Sequence, residues 1–156
     1  MKVENMFQDL QRSLADMIGS LDPVPYQPTE SAEYDTVTFD GTEKDNRRWK
    51  ALLRSNIASA TKFEIHCWSE ETTEIALALQ YGSIKPMPWK FGTVIEGNVT
   101  PEFIDMLLSL PKPPLSSNGY NMMTPFFTVI FDNGFSSNHY GTENHFQAQS
   151  SKQGIL

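Results

Sequence analysis

The sequence of 156 residues has few of the side chains from which catalytic and metal sites are usually built. One cysteine, Cys67, and three histidines exclude an internal disulfide framework and a cysteine-rich zinc site. The chain also lacks a glycine-rich phosphate loop, a G-x-S-x-G nucleophile motif, an H-E-x-x-H zinc motif and a C-x-x-C pair. We therefore expect neither a cofactor nor a metal ion.

Long apolar runs are missing as well. No uninterrupted run approaches the roughly 18 residues that a membrane helix needs. The first residues, MKVENMFQDLQ, have no apolar stretch of the kind found in secretory signals. We expect a cytoplasmic protein with no membrane segment.

Acidic residues outnumber basic ones by 19 to 12, which gives a net charge of −7. This charge disfavours nucleic acid and anionic membranes and favours a cationic partner, and it also fits a role in solubility alone. The asymmetry is greatest from Asp22 to Glu43, where six carboxylates occur without a lysine or arginine. A second acidic group, Glu70, Glu71 and Glu74, begins a predicted helix, whose dipole it complements.

The strongest structural signal lies between Pro125 and Tyr140. A β-favouring run ends just before Asn133-Gly134, a pair typical of the type I′ turn in a two-residue hairpin. This turn pairs Ile130 with Ser137. It also puts four aromatic and apolar side chains on one face, which we expect to be core: Phe127, Val129, Phe131 and Tyr140.

The return strand of this hairpin, Ser136 to His139, is polar throughout. Strands sandwiched between two others are usually apolar, so we predict that this strand lies at or near a sheet edge.

The remaining elements follow from periodicity and from helix caps. Apolar spacing and end signals predict helices at Val3–Leu21, Glu43–Arg54, Glu70–Tyr81 and from Pro101 onward, with Thr100 as N-cap. Alternation predicts strands at Tyr34–Phe39, Phe63–Trp68 and Trp89–Val99, with a linker at Lys85–Pro88. Residues 74–81 also alternate as a strand would, but alanine content and caps favour a helix.

These elements predict an α+β fold with a single domain over residues 1–146. We expect a mixed or mostly antiparallel sheet of about five strands, about four helices and a C-terminal β-hairpin. The residues after Phe146, 147–156, have no pattern and are predicted to be a flexible tail.

Candidates for catalysis are few. Cys67 and His66 are neighbours on a predicted strand and point to opposite faces, so they cannot act as a Cys-His pair. His139, Glu143 and His145 have spacings that suit a metal site or an acid-base pair, although exposed histidines are more often plain surface residues. An enzyme built on these three residues is therefore the alternative to a binding function.

A small, acidic α+β domain with one-sided carboxylate segments and no catalytic motif resembles the immunity proteins of bacterial polymorphic toxin and contact-dependent growth inhibition systems. The resemblance covers overall character, and no functional residue is carried over by it. It implies an inhibitor that covers the active site of a cognate toxin, often a basic nuclease. An enzyme, or a structural or adaptor module, remains an alternative. We expect a basic toxin to bind at the carboxylates Glu30, Glu33, Asp35, Asp40, Glu43, Glu70, Glu71 and Glu74.

Overall fold

The computed structural model describes residues 34–147 of the chain. Within this range the order is β1 (Tyr34–Thr38), α1 (Arg47–Ile57), β2 (Lys62–Trp68), α2 (Thr72–Leu79), β3 (Ser83–Ile84), β4 (Gly92–Asn98), α3 (Pro101–Ser109), β5 (Thr128–Phe131), β6 (Ser136–Asn138) and β7 (Glu143–Gln147). The predicted helix Val3–Leu21, the carboxylates Asp22, Glu30 and Glu33, and residues 148–156 lie outside it.

The strands form one antiparallel sheet in the order β1-β7-β6-β5-β2-β4-β3. The predicted α+β class is therefore confirmed. The described part has seven strands rather than about five, and it has three helices, since the fourth predicted helix, Val3–Leu21, lies outside it. The extra strands are β3, which has only two residues, and β7, whose last residue, Gln147, we assigned to the tail.

The core lies between the three helices and one face of the sheet. Phe63, Ile65 and Cys67 of β2 are buried in it, as their alternation predicts, and Ile95 and Val129 lie opposite Ile65 on the neighbouring strands. The helices contribute the buried side chains Trp49, Leu53, Ile57, Ala78, Phe103, Met106 and Leu107. The opposite face of the sheet, which we call the open face, carries the alternate side chains.

The helix predictions that fall within residues 34–147 are confirmed in kind and corrected in their bounds. Thr100 caps α3, because its Oγ1 accepts a hydrogen bond from the Phe103 N–H at 3.1 Å. Residues 72–79 form a helix and not a strand. The helix predicted from Glu43 begins instead at Arg47, because the Glu43 N–H donates to the Asp40 carbonyl in a preceding turn at 3.2 Å.

The hairpin of β5 and β6 exists, but its predicted turn and register are wrong by one residue. Ile130 pairs with Ser136 rather than with Ser137, and the Phe131 N–H donates to the Phe135 carbonyl across a three-residue connection. Gly134 has the expected positive φ of 95°, whereas Asn133 does not share it. The cause is tertiary, since the Asn133 Nδ2 donates to the Asn56 carbonyl at 2.7 Å.

β6 lies between β5 and β7, so its predicted position at an edge is also wrong. Its polar composition is compatible with the interior of the sheet because Ser136 and Asn138 lie on the open face. Ser137 points into the core, where its hydroxyl accepts a hydrogen bond from the Trp49 Nε1 at 3.0 Å. A buried serine is satisfied there because a tryptophan donor faces it.

The turn between β6 and β7 contains three consecutive left-handed residues. His139, Tyr140 and Gly141 have φ values of 54°, 60° and 89°. The Gly141 N–H donates to the Asn138 carbonyl at 3.1 Å, and the Tyr140 N–H donates to the Phe127 carbonyl at 3.0 Å. Two non-glycine residues therefore hold a backbone conformation that side chains normally avoid.

Phe127 is buried, as predicted, but both it and Tyr140 lie outside the core cluster that contains Val129 and Phe131. Their rings lie 5.2 Å apart, and the Phe127 ring is 4.9 Å from that of Trp68. These aromatic residues pack together at the end of the sheet where β2 ends and β5 begins.

Candidate functional site

A chain of polar contacts crosses the open face near its β1 edge. The Glu143 carboxylate lies between two imidazoles, with Oε1 at 3.1 Å from the His139 Nδ1 and Oε2 at 3.3 Å from the His145 Nε2. The His145 Nδ1 is 3.0 Å from the Thr36 Oγ1 on β1. The structure thus brings together His139, Glu143 and His145, and it adds Thr36.

This arrangement orients His145 through both of its ring nitrogens. A hydroxyl, an imidazole and a carboxylate in series form the order used in nucleophilic catalysis. Both Glu143 oxygens contact an imidazole, and the buried His139 Nε2 has no hydrogen-bond partner among residues 34–147. No group of three or more His, Cys, Asp or Glu side chains in that range is arranged to hold a metal ion.

Cys67 lies in the core and does not contact these histidines. Burial, with the nearby carboxylates of Glu71 and Glu74, raises the pKa of the Cys67 thiol to about 12. A thiol with this pKa stays protonated at neutral pH, and a protonated thiol is a poor nucleophile.

Glu71 is engaged within the fold rather than displayed on its surface. Its carboxylate accepts hydrogen bonds from the Trp68 N–H at 2.8 Å and from the Tyr140 hydroxyl at 2.6 Å. Burial raises the pKa of Glu71, and burial together with the Glu71 carboxylate raises the pKa of Tyr140. This pair ties the start of α2 to the left-handed turn.

The other predicted partner-binding carboxylates differ in their surroundings. Asp40 accepts hydrogen bonds from the Thr42 N–H and hydroxyl, and these lower the pKa of Asp40. Glu43 forms an ion pair with Arg48 at 2.5 Å. Asp35 and Glu70 are exposed, Glu74 is half-buried, and Glu30 and Glu33 lie outside the described residues.

Exposed apolar side chains are concentrated around the β3–β4 connection. Of the seven large hydrophobic residues exposed between positions 34 and 147, four lie within residues 79–91: Leu79, Ile84, Met87 and Phe91, with exposed fractions of 39%, 58%, 43% and 49%. We call these four residues the apolar surface. The sequence gives little sign of it, because we assigned part of the segment to a linker.

The apolar surface is held in place by backbone and ring contacts. The Trp89 ring packs against the Trp68 ring at 4.9 Å, and the Lys85 N–H donates to the Val94 carbonyl at 2.8 Å. The Ser69 N–H donates to the Phe91 carbonyl at 2.9 Å. The last bond brings the exposed Glu70, the next residue after Ser69, close to Phe91.

No helix within residues 34–147 is long and apolar enough to cross a membrane. A scan against protein-family models and searches of curated proteins and solved structures find no match to the chain.

Proposed function

We propose that the chain is a protein-binding inhibitor, a cytoplasmic immunity protein that neutralises a basic bacterial toxin of the nuclease type. In this proposal it covers the active site of the toxin and uses no catalytic residue, cofactor or metal of its own. The observation that carries the proposal is the apolar surface, with its four exposed hydrophobic side chains on one short segment. Large apolar side chains exposed close together along the chain are candidates for a protein–protein contact.

Two carboxylates near Phe91 fit a basic partner, although one cation, the Lys90 ammonium, also lies there, 5.4 Å from the centre of the Phe91 ring. Glu70 follows the residue that is bonded to Phe91, and Glu74 lies one helical turn further on. Protein interfaces commonly combine an apolar centre with a polar rim, and rim carboxylates accelerate association with a cationic protein. Of the predicted partner-binding residues, we therefore favour Glu70 and Glu74 as contacts.

Capture from the native host followed by an activity assay tests this proposal. We expect the wild-type chain to capture a basic protein and to abolish its nuclease activity at one molar equivalent. Phe91→Ser should lose capture, because it removes the apolar centre of the contact.

The matched control is Leu115→Ser, since Leu115 is 61% exposed but lies away from the apolar surface in sequence. Capture by Leu115→Ser should equal that of the wild type. An acidic captured protein, an activity that the wild type leaves intact, or equal capture by both serine variants would reject the proposal.

A hydrolase is the second candidate function, and the bonded series Thr36, His145 and Glu143 favours it. In this candidate the Thr36 hydroxyl attacks an ester carbonyl while His145 takes its proton, and the ester C–O bond then breaks as the leaving alcohol receives that proton. Water hydrolyses the acyl-Thr36 ester, which releases the acid and restores the hydroxyl. Turnover of p-nitrophenyl acetate should then disappear in Thr36→Val and in His145→Ala at an unchanged melting temperature. Equal turnover by the wild type and both variants would exclude this candidate.

A further inference from the structure

We infer that a concavity on the open face receives an arginine side chain of the basic partner. The inference rests on the proposed function and names the chemistry of its central contact. The concavity has a volume of about 410 Å³. This volume lies at the lower end of the range for ligand sites and suits one long side chain.

The register of the sheet places the lining of this concavity. Glu64 of β2 lies directly opposite Glu96 of β4, and Ser83 of β3 is the partner of Glu96 on the other side. Ile130 of β5 lies opposite Glu64 and contributes an apolar wall. Ser83 and Glu96 are paired and share the open face, whereas Ile84 is paired with the core residue Ile95 and points to the other face.

Like charges directly opposite each other on neighbouring strands are unfavourable. Glu64 is compensated within the chain, because its carboxylate contacts the His66 Nε2 at 3.1 Å and forms an ion pair with Lys85. Glu96 is exposed and forms no hydrogen bond or salt bridge with a side chain between residues 34 and 147, and only the charge of Lys85, which is paired with Glu64, interacts with it from nearby. A cation brought by a partner would therefore relieve the repulsion between Glu64 and Glu96.

Two further charges line the concavity and are already satisfied. Asp132 accepts hydrogen bonds from the Thr61 hydroxyl at 2.5 Å and from the Lys62 N–H at 3.1 Å. The Lys62 ammonium donates to the Asn98 Oδ1 at 3.1 Å. Lys62 and Lys85 offset two of the three carboxylates, so Glu96 supplies one net negative charge for one incoming cation.

Arginine fits this lining better than a compact cation does. Its planar guanidinium offers five donors, which match the Glu96 carboxylate together with the Ser83 hydroxyl, and its methylenes can pack on Ile130. Buried arginine side chains are also frequent energetic centres of protein interfaces.

The test uses N-acetyl-arginine methylamide as the probe and the isosteric citrulline derivative as the uncharged control. In amide NMR spectra, the arginine probe should shift resonances of β2, β3 and β4 saturably, and the citrulline probe should not. Glu96→Gln should weaken probe binding about tenfold, the effect of losing roughly one charge-assisted hydrogen bond. Glu102→Gln, which removes an exposed carboxylate on α3, should leave binding unchanged.

Equal binding of both probes, shifts elsewhere in the chain, or unchanged affinity in Glu96→Gln would overturn the inference. Failure of the inference can be separated from failure of the proposed function. If Phe91→Ser abolishes capture of a basic protein while Glu96→Gln leaves the affinity for that protein unchanged, the proposed inhibitor function is supported and the inferred arginine contact is rejected. If the arginine probe binds through Glu96 but no basic protein is inhibited, the proposed function is rejected while the arginine site is supported.

Discussion

Gly141→Ala should be among the most damaging single-methyl additions in this chain, because it meets two separate obstacles. Gly141 has a φ of 89°, and an L-residue in the left-handed region costs about 1–2 kcal/mol. The new Cβ would also lie 2.7 Å from the Met123 Cβ and 3.0 Å from the Trp49 Nε1. Crowding of this kind in a packed region typically costs about 1–3 kcal/mol.

Relief of the crowding has its own cost. Moving the Trp49 ring away would lengthen its 3.0 Å hydrogen bond to the Ser137 hydroxyl, and leaving a buried polar group unpaired costs about 1–3 kcal/mol. The protein will either accept the crowding or shift the Trp49 ring, whichever costs less free energy. Only one of these two costs therefore adds to the backbone cost. We expect a total loss of about 3–4 kcal/mol, a large part of the roughly 5–15 kcal/mol that stabilises a typical domain.

Gly119→Ala isolates the backbone contribution. Gly119 has a φ of 84°, and no atom lies within 4 Å of the position that a Cβ would occupy. Gly119→Ala should therefore lose only the backbone cost of the left-handed conformation, about 1–2 kcal/mol. Urea unfolding followed by circular dichroism gives both free energies of unfolding. Equal destabilisation of the two variants, within about 0.5 kcal/mol, would refute the tight packing of Gly141 against Trp49.

Three further predictions concern the hairpin, the open face and the core. Gly134→Val should lower the melting temperature, at a cost of about 1–2 kcal/mol, because a β-branched residue resists the φ of 95° there; an unchanged melting temperature would contradict this. The His66 hydrogen bond, followed by that of Lys85, lowers the pKa of Glu64 to about 2 from 4.5. The resulting stabilisation is present above pH 4.5 and is lost as the pH falls towards 2. The free energy of unfolding of the wild type, measured with urea, should therefore fall more steeply over that range than that of Glu64→Gln. Parallel pH profiles of the two proteins would count against the contact between Glu64 and His66. Because burial raises the pKa of Cys67 to about 12, Ellman's reagent should react slowly with the native protein at pH 8 and completely in urea; a fast native reaction would show that the thiol is accessible.

Local sequence signals predicted the elements that local interactions build. Thr100-Pro101 caps and begins α3, and the alternation around Ile65 marks a strand with one buried face. β7 could not be recognised in this way, because Glu143–Gln147 is mostly polar and becomes a strand through pairing on both sides. The hairpin register was missed for a related reason, since the Asn133 side chain bonds to a carbonyl 77 residues away.

In the candidate site, too, local spacing predicted some residues, and only tertiary pairing brings in the others. The spacing of His139, Glu143 and His145 indicated their proximity, and the structure places the Glu143 carboxylate between the two imidazoles. Thr36 was missed because 109 residues separate it from His145 and only strand pairing brings them together. The apolar surface was missed because exposure of Met87 and Phe91 depends on how the β3–β4 connection folds, and periodicity in the sequence carries no information about that.

The pairing of β1 with β7 also sets an order on folding. β1 is the first strand of the described sheet and β7 the last, and β7 is the only strand with which β1 pairs. During synthesis β1 therefore has no partner among the described strands until the ribosome has made β7, whereas β2 and β4 can pair much earlier. Contacts between such distant segments slow folding, and unpaired strands are where growing chains aggregate. We expect β1 to be among the last of the described strands to join the sheet, so that a chain interrupted before Glu143 leaves β1 without its partner strand β7.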